Sequence, residues 1–318
     1  VPSGAHFPSQ HPAFMGALTR DQKQVQATLS PYDLLICIGA DVLQMSVWSE
    51  IEPLPSGMPI VQIGLRDWEM GKNYPAEIAL RSDVGTTLRA LVPILQDQMP
   101  SVRREAAMER LKTISTNNWS SRRETMCVKT IGLENSTPIN PDWLMLQIAE
   151  LLPENAIVVD EGLTGAKNLL GFLPLRDRYS YFGMISGGIG WGIAAAVGVQ
   201  LAQPDRPVVA ILGDGSSLYS PQALWSAAHL NLPIIFVMLN NRGYRILKER
   251  LIAFHDDDRF IGMDFDAPAI DLAGLSRSLG VEAETVTNPK DFEQALNTAL
   301  KDARPRLIEV MVEPGPQR

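Results

Sequence analysis

Short apolar runs recur along the chain, separated by stretches in which apolar positions fall three and four residues apart. In the first third, LLICIG (34–39), PIVQIG (59–64) and EIAL (77–80) predict three strands, and 84–98 has helical spacing. Three strands make a small parallel sheet, so this is either a minimal domain or one with further strands ahead of Val1. From 101 to 137 the text turns charged and polar, which predicts a helix and then a linker. Beyond it the alternation is regular. Asn140 with Pro141 opens a helix to Leu152. Strands follow at 156–159, 179–183, 208–212, 234–239, 282–286 and 306–312. Helices follow at 165–172, 189–202, 221–230 (capped by Ser220), 271–279 and 290–302. Such alternation predicts an α/β protein of two parallel-sheet domains, a partial one over 1–115 and a second over 138–318, with a linker at 116–137.

The length of 318 residues agrees with about two domains, each large enough for its own core. With 45% hydrophobic and 20% charged residues the composition is that of a folded globular protein. Lys+Arg of 28 against Asp+Glu of 36 gives a net charge of −8, and no basic patch stands out, which argues against nucleic acid and anionic membranes as partners. The stretch 179–204 carries no charge and exceeds the roughly 20 residues of a membrane span. Its glycines and serines fit a strand, a glycine turn and a buried helix better. Two isolated cysteines, Cys37 and Cys127, form no disulfide framework, so a reducing cytoplasm is the simplest setting. The start, VPSGAHFPSQHPAF, has no signal-peptide pattern and no initiator Met, which leads to the expectation of a processed or truncated product.

The chemistry concentrates in GDGS (213–216) and NN (240–241), each directly after an apolar strand. Two parallel strands joined by one crossover helix place both groups on the same sheet edge, where open α/β sheets bind ligands. A carboxylate and an amide oxygen there supply hard oxygen ligands, and magnesium shares such ligands with phosphates. The glycines beside Asp214 leave backbone N–H groups free for phosphate oxygens. Either half alone reads as a turn. Jointly, at two strand ends, they point to a diphosphate-plus-magnesium site.

The joint pattern GDGS-x23-NN resembles the thiamine diphosphate motif of the 2-oxo acid decarboxylases and acetolactate synthases. The text from SGGIGWG to LNNRGY is most similar to benzoylformate decarboxylases; the likeness extends through NAIVVDEG and, more loosely, to HPAF and PIVQIGLRD. The resemblance implies that the second domain has a thiamine diphosphate-binding fold. It implies magnesium held by Asp214, Asn241 and the backbone oxygen of Gly243, and diphosphate held by Gly215, Ser216, Tyr244 and Thr164. Ile189 would support the bent cofactor, and Ile246 would line the substrate pocket. The implied reaction is non-oxidative decarboxylation of a 2-oxo acid in a dimer or tetramer. The family's activating Glu lies on a separate pyrimidine-binding domain and matches no residue here; Glu161 is a different position.

The departures narrow this. Benzoylformate decarboxylases carry a His in the segment matching TPINPDW, where Asn140 stands; His6, His11, His229 and His255 read as surface or packing residues. HDDD (255–258) reads as a solvated loop. GADVLQMSVW (39–48) replaces the flavin-binding segment of biosynthetic acetolactate synthases, which argues against FAD. The rival readings are a flavin-independent carboligase and a non-catalytic module that binds cofactor or a partner chain. The isolated chain is expected to be inactive without the pyrimidine-binding domain.

Overall fold

The computed structural model describes residues 3–19, 21–43, 45 and 49–316, so part of the 39–48 segment weighed against a flavin lies outside the described residues. The chain divides into two compact units. One is Ala17–Thr113; the other joins the N-terminal loop up to Gly16 to everything from Ile114 onward. By packing, then, the loop that the sequence reading assigns to the first domain goes with the second unit. The loop is bound within the second unit, where the Ser9 N–H donates to the Leu175 carbonyl at 3.0 Å and Gly4 bridges Phe182.

The first unit contains α1 (Gln22–Leu29), β1 (Leu35–Ile38), β2 (Ile60–Gly64), β3 (Ile78–Arg81), α2 (Val84–Gln98) and most of α3 (Ser101–Ser115). Its three strands are parallel in the order β1-β2-β3. Asp83 caps α2 by accepting the Thr86 N–H at 2.7 Å. The middle strand buries Ile60 and Ile63, whereas Ile36, Ile38, Ile78 and Leu80 on the outer strands are exposed. Helix α1, unforeseen from QKQVQATL, is polar and buries only Val25 and Leu29.

The second unit runs α4 (Trp119–Thr130), α5 (Pro141–Leu151), β4 (Ile157–Glu161), α6 (Leu169–Phe172), β5 (Tyr181–Gly183), α7 (Gly192–Ala202), β6 (Val208–Gly213) and α8 (Asp214–Ser217). It continues α9 (Gln222–His229), β7 (Ile234–Asn240), α10 (Arg245–His255), α11 (Leu272–Ser278), β8 (Glu282–Val286), α12 (Pro289–Ala299) and β9 (Arg306–Met311). Helix α4 lies where a linker was expected. Asn118 caps it by accepting the Ser121 N–H at 3.0 Å, and the Trp119 indole, buried, donates to the Leu170 carbonyl at 2.7 Å. Asn140 caps α5 as expected, accepting from the N–H groups of Asp142 and Trp143 at 2.9 and 3.3 Å. Ser220 does not cap α9; its hydroxyl donates to the Gly190 carbonyl instead. The uncharged stretch at 179–204 resolves into β5, a glycine loop and α7. Among the described residues no helix is long and apolar enough to cross a membrane.

The six strands are all parallel, in the order β5-β4-β6-β7-β9-β8. Alternate residues serve opposite faces: Val209, Ile211, Val237 and Leu239 join the core under α5 and α12, while Val208, Ala210, Ile234 and Phe236 join the core under α7 and α9. Burial on both faces is why β6 and β7 read as unbroken apolar runs. From β4 the chain runs outward to β5 and then returns to the other side of β4 as β6. The loops leaving β4 and β6 therefore diverge, and the crevice between them is the position at which such sheets take ligands.

Candidate functional site: a carboxylate-pinned edge of the larger sheet

Asp214 follows the last residue of β6 and is 4% exposed. Strand β7 lies next to β6, with Gly213 in register with Leu239, so the turn after β7 passes beside the carboxylate. The Oδ1 of Asp214 accepts the Gly215 N–H at 2.7 Å, and Oδ2 accepts those of Asn241 and Gly243 at 3.1 and 3.2 Å. Burial pushes the Asp214 carboxyl up to about 6, against the pull of those backbone N–H groups. Among the described residues no cationic side chain pairs with it.

The turn itself is clamped on several sides. Arg242 sits in the left-handed region at φ 60°, and its N–H is accepted by Asn240 Oδ1 at 3.0 Å. The segment 263–265 pairs antiparallel with it, the Tyr244 N–H donating to Met263 O and the Phe265 N–H to Arg242 O, each at 2.9 Å. A Cβ on Gly243 would stand 2.5 Å from the Met263 carbonyl oxygen, so that position accepts only glycine without movement. A Cβ on Gly215 would stand 2.8 Å from the Tyr244 ring, which packs edge-on to Phe265 at 4.7 Å. Lys248, buried on α10, forms an ion pair with Asp264 in the same clamp.

The crevice side of the edge carries two further acids, half-buried Asp160 and buried Glu161. Asp160 accepts the Gly162 N–H at 2.9 Å and the Tyr181 hydroxyl at 2.8 Å, and burial pushes it up to about 6. Glu161, 2% exposed, accepts the N–H groups of Gly190, Trp191 and Gly192 at the start of α7, those of Trp191 and Gly192 at 3.3 and 2.5 Å. Burial raises its carboxyl, and the three N–H groups oppose the rise. A carboxylate against a helix N-terminus is also favoured by the helix dipole. Glu161 lies outside the matched motif; its place just after the apolar run AIVV is the sequence signal of an acid that must find buried donors.

Of the residues singled out, Asp214, Gly215, Asn241 and Gly243 are joined directly by hydrogen bonds, and Tyr244 lies against Gly215. The Ser216 hydroxyl donates to Gly213 O at 3.1 Å and to Glu161 O at 3.4 Å, linking the two sides of the crevice. Ile189 is half-buried and precedes Gly190, which Glu161 holds. Thr164 is half-buried in the 3-10 turn Leu163–Ala166 after β4, and Ile246 is half-buried in the first turn of α10. Neither hydrogen-bonds to the Asp214 group. Asn140 is committed to capping α5 and to Glu313, at 3.0 Å. His11 accepts the Ala13 N–H at 3.1 Å and His229 stacks on Trp225 at 4.8 Å, both packing roles.

The donor set suits a hard divalent cation. Asn241 Oδ1 and Gly243 O on the turn after β7, and Asp214 Oδ beside them at the end of β6, are all oxygens; the two turn oxygens also accept from the N–H groups of Gly243 and Arg245, at 3.1 and 2.9 Å, and each keeps a second lone pair. A buried carboxyl with a raised pKa and no cation beside it is the environment a metal ion would compensate.

Residues 165–310 match the family model of the thiamine pyrophosphate enzyme C-terminal TPP binding domain, and residues 3–91 match that of the central domain. The chain belongs to the thiamine pyrophosphate enzymes. It is 32% identical over 305 residues to benzoylformate decarboxylase of Pseudomonas aeruginosa, covering 96% of this chain and 53% of that one. To the acetolactate synthase large subunit of Parasynechococcus marenigrum it is 29% identical over 286 residues, 89% of this chain and 44% of the other. The solved thiamine diphosphate-dependent 4-hydroxybenzoylformate decarboxylase of Rhodococcus jostii RHA1 superposes with a TM-score of 0.81 at 28% identity, covering 98% of this chain and 55% of that chain. The chain thus spans about half the length of the thiamine pyrophosphate enzymes it matches, in the central and cofactor-binding domains.

Proposed function

We propose that this chain provides the diphosphate- and magnesium-binding part of an enzyme that decarboxylates a 2-oxo acid without oxidation, in the manner of benzoylformate decarboxylase. The observation that carries this reading is the buried Asp214 carboxylate joined to the Asn241–Gly243 turn on adjacent strand ends. In this reading Asp214, Asn241 and the Gly243 carbonyl bind magnesium. Gly215, Ser216, Tyr244 and Thr164 hold the diphosphate across the crevice, Ile189 supports the bent cofactor, and Ile246 faces substrate. Bound thiamine diphosphate supplies the nucleophilic carbon and the electron sink that release carbon dioxide from a 2-oxo acid.

The residues of this chain bind and orient; the carboxylate that activates the aminopyrimidine belongs to a pyrimidine-binding domain outside residues 1–318. Turnover therefore needs that domain, and the assembled enzyme is a dimer or tetramer in the cytoplasm. The likeness to an acetolactate synthase supports a second reading, carboligation on the same residues. Analysis of the products from pyruvate and from benzoylformate in the complemented enzyme separates the two.

Calorimetric titration of thiamine diphosphate with and without magnesium, on this chain and on Asp214→Ala, tests the site. The expected result is magnesium-dependent binding that Asp214→Ala abolishes. Binding unaffected by the substitution, or absent even with the pyrimidine-binding domain added, refutes it; the latter favours a non-catalytic module.

A further inference from the structure

We propose that Glu309 is a positioning residue for the turn at 240–243, acting through Asn240; the consequence for magnesium rests on the reading of Asp214 and Asn241 given above. Glu309 lies on β9 at 4% exposure, in register with Met238 of β7, and none of the described cationic side chains pairs with it. Its carboxylate has two partners: Asn240 Nδ2 donates to Oε1 at 2.7 Å, and Thr285 Oγ1 on β8 donates to Oε2 at 2.6 Å. It also borders a cavity of about 180 Å³ that Asp214, Asn240 and Arg242 help to line.

The chemistry of the pair explains the arrangement. A carboxylate only accepts hydrogen bonds, so Glu309 fixes which end of the Asn240 amide faces it. The NH2 turns to Glu309 and the carbonyl oxygen is left to accept the Arg242 N–H, at 3.0 Å. That bond supports the left-handed φ of 60° at Arg242, a conformation that is costly for any residue with a Cβ. Only with Arg242 in that conformation does the chain bring the Gly243 N–H back to Asp214 and to Asn241 Oδ1, at 3.2 and 3.1 Å. An Asn240 amide free to flip would set N–H against N–H, and the turn would lose its internal bond. Glu309 thus touches none of the three proposed ligands and sets the geometry of the two on the turn, Asn241 and Gly243.

The test compares the full chain with Glu309→Ala and Glu309→Gln, by amide hydrogen exchange and by the magnesium concentration that half-saturates thiamine diphosphate binding. Loss of a hydrogen bond to a charged group is expected to speed exchange at Arg242 and Gly243 about tenfold in Glu309→Ala, with Val209–Leu212 of β6 unchanged. The half-saturating magnesium concentration is expected to rise about tenfold, as for other residues that orient metal ligands. Gln, which accepts from Asn240 and donates to Thr285, is expected to restore both values to within about threefold of wild type. Unchanged exchange at Arg242 and Gly243, or a uniform rise across the sheet, overturns the proposal. If Glu309→Ala does not fold, Glu309→Leu, closer in volume, is read by the same criteria. Absence of magnesium-dependent binding in the wild type, even with the pyrimidine-binding domain added, refutes only the cofactor reading, because exchange still decides the role of Glu309.

Discussion

The carboxyl edges of the two sheets use acidic residues in opposite ways. On the smaller sheet, Asp41 after β1 pairs with Arg66 after β2 at 2.8 Å, with the arginine side chain 70% exposed, and the cavity there measures about 40 Å³. Arg81 and Asp67 form a similar surface pair at 3.3 Å. On the larger sheet Asp160, Glu161, Asp214 and Glu309 are held by backbone N–H groups, hydroxyls or an amide, with no ion pair among the described residues. Exposed ion pairs are screened and rearrange at little cost. A buried carboxylate bonded to backbone fixes the path of the loop that donates to it, because leaving those N–H groups unpaired is expensive. The second arrangement is the one a ligand site requires, since its loops are in place before anything binds.

The comparison breaks first at Gly243. Gly243→Ala drives a Cβ into the Met263 carbonyl and is expected to cost about 3 kcal/mol, read as a lower denaturant midpoint together with loss of magnesium-dependent binding. A variant of wild-type stability would mean that the turn is not clamped. Next comes Glu161→Gln, which puts an NH2 where N–H donors converge. A loss of about 2 kcal/mol is expected, with faster amide exchange at 190–192.

The pH dependence at Asp160 sharpens the contrast. Its folded-state pKa is raised to about 6, so its contribution to stability is present below about pH 4 and is lost as pH rises through about 6. The stability of wild type relative to Asp160→Asn is therefore expected to fall across that window and to level off above it. A difference constant from pH 4 to 7 in urea titrations would contradict the burial argument. The smallest effect belongs to the exposed pair: Arg66→Ala is expected to change stability by at most about 1 kcal/mol, and less in added salt. A larger loss would show that the smaller sheet's edge is organised like the other.

Legibility from the sequence followed how each element is stabilised. Strands β4, β6, β7 and β9, buried on both faces, were plain as apolar runs, and Asn140-Pro141 announced α5. Helix α4 reads as linker because its text is charged and only Trp119 and Thr130 are buried, and α10 is hard to see because RILKERLIAFH follows directly on a turn motif. Asp214 and Asn241 stood out because each ends an apolar strand. Glu309 interrupts the apolar run RLIEVMV, a visible signal, yet nothing local reveals that its partners are Asn240 and Thr285.

Periodicity and residues close along the chain reveal the strands, most helices apart from α1, α4 and α10, the family resemblance and the placing of GDGS and NN at strand ends. Which acid holds which loop depends on contacts between strand ends far apart along the chain. Glu161 meets amides 29 to 31 residues away and Glu309 an amide 69 residues away. Parallel strands joined by crossover helices bring distant strand ends to one edge, and a buried carboxylate takes whatever donors that edge supplies.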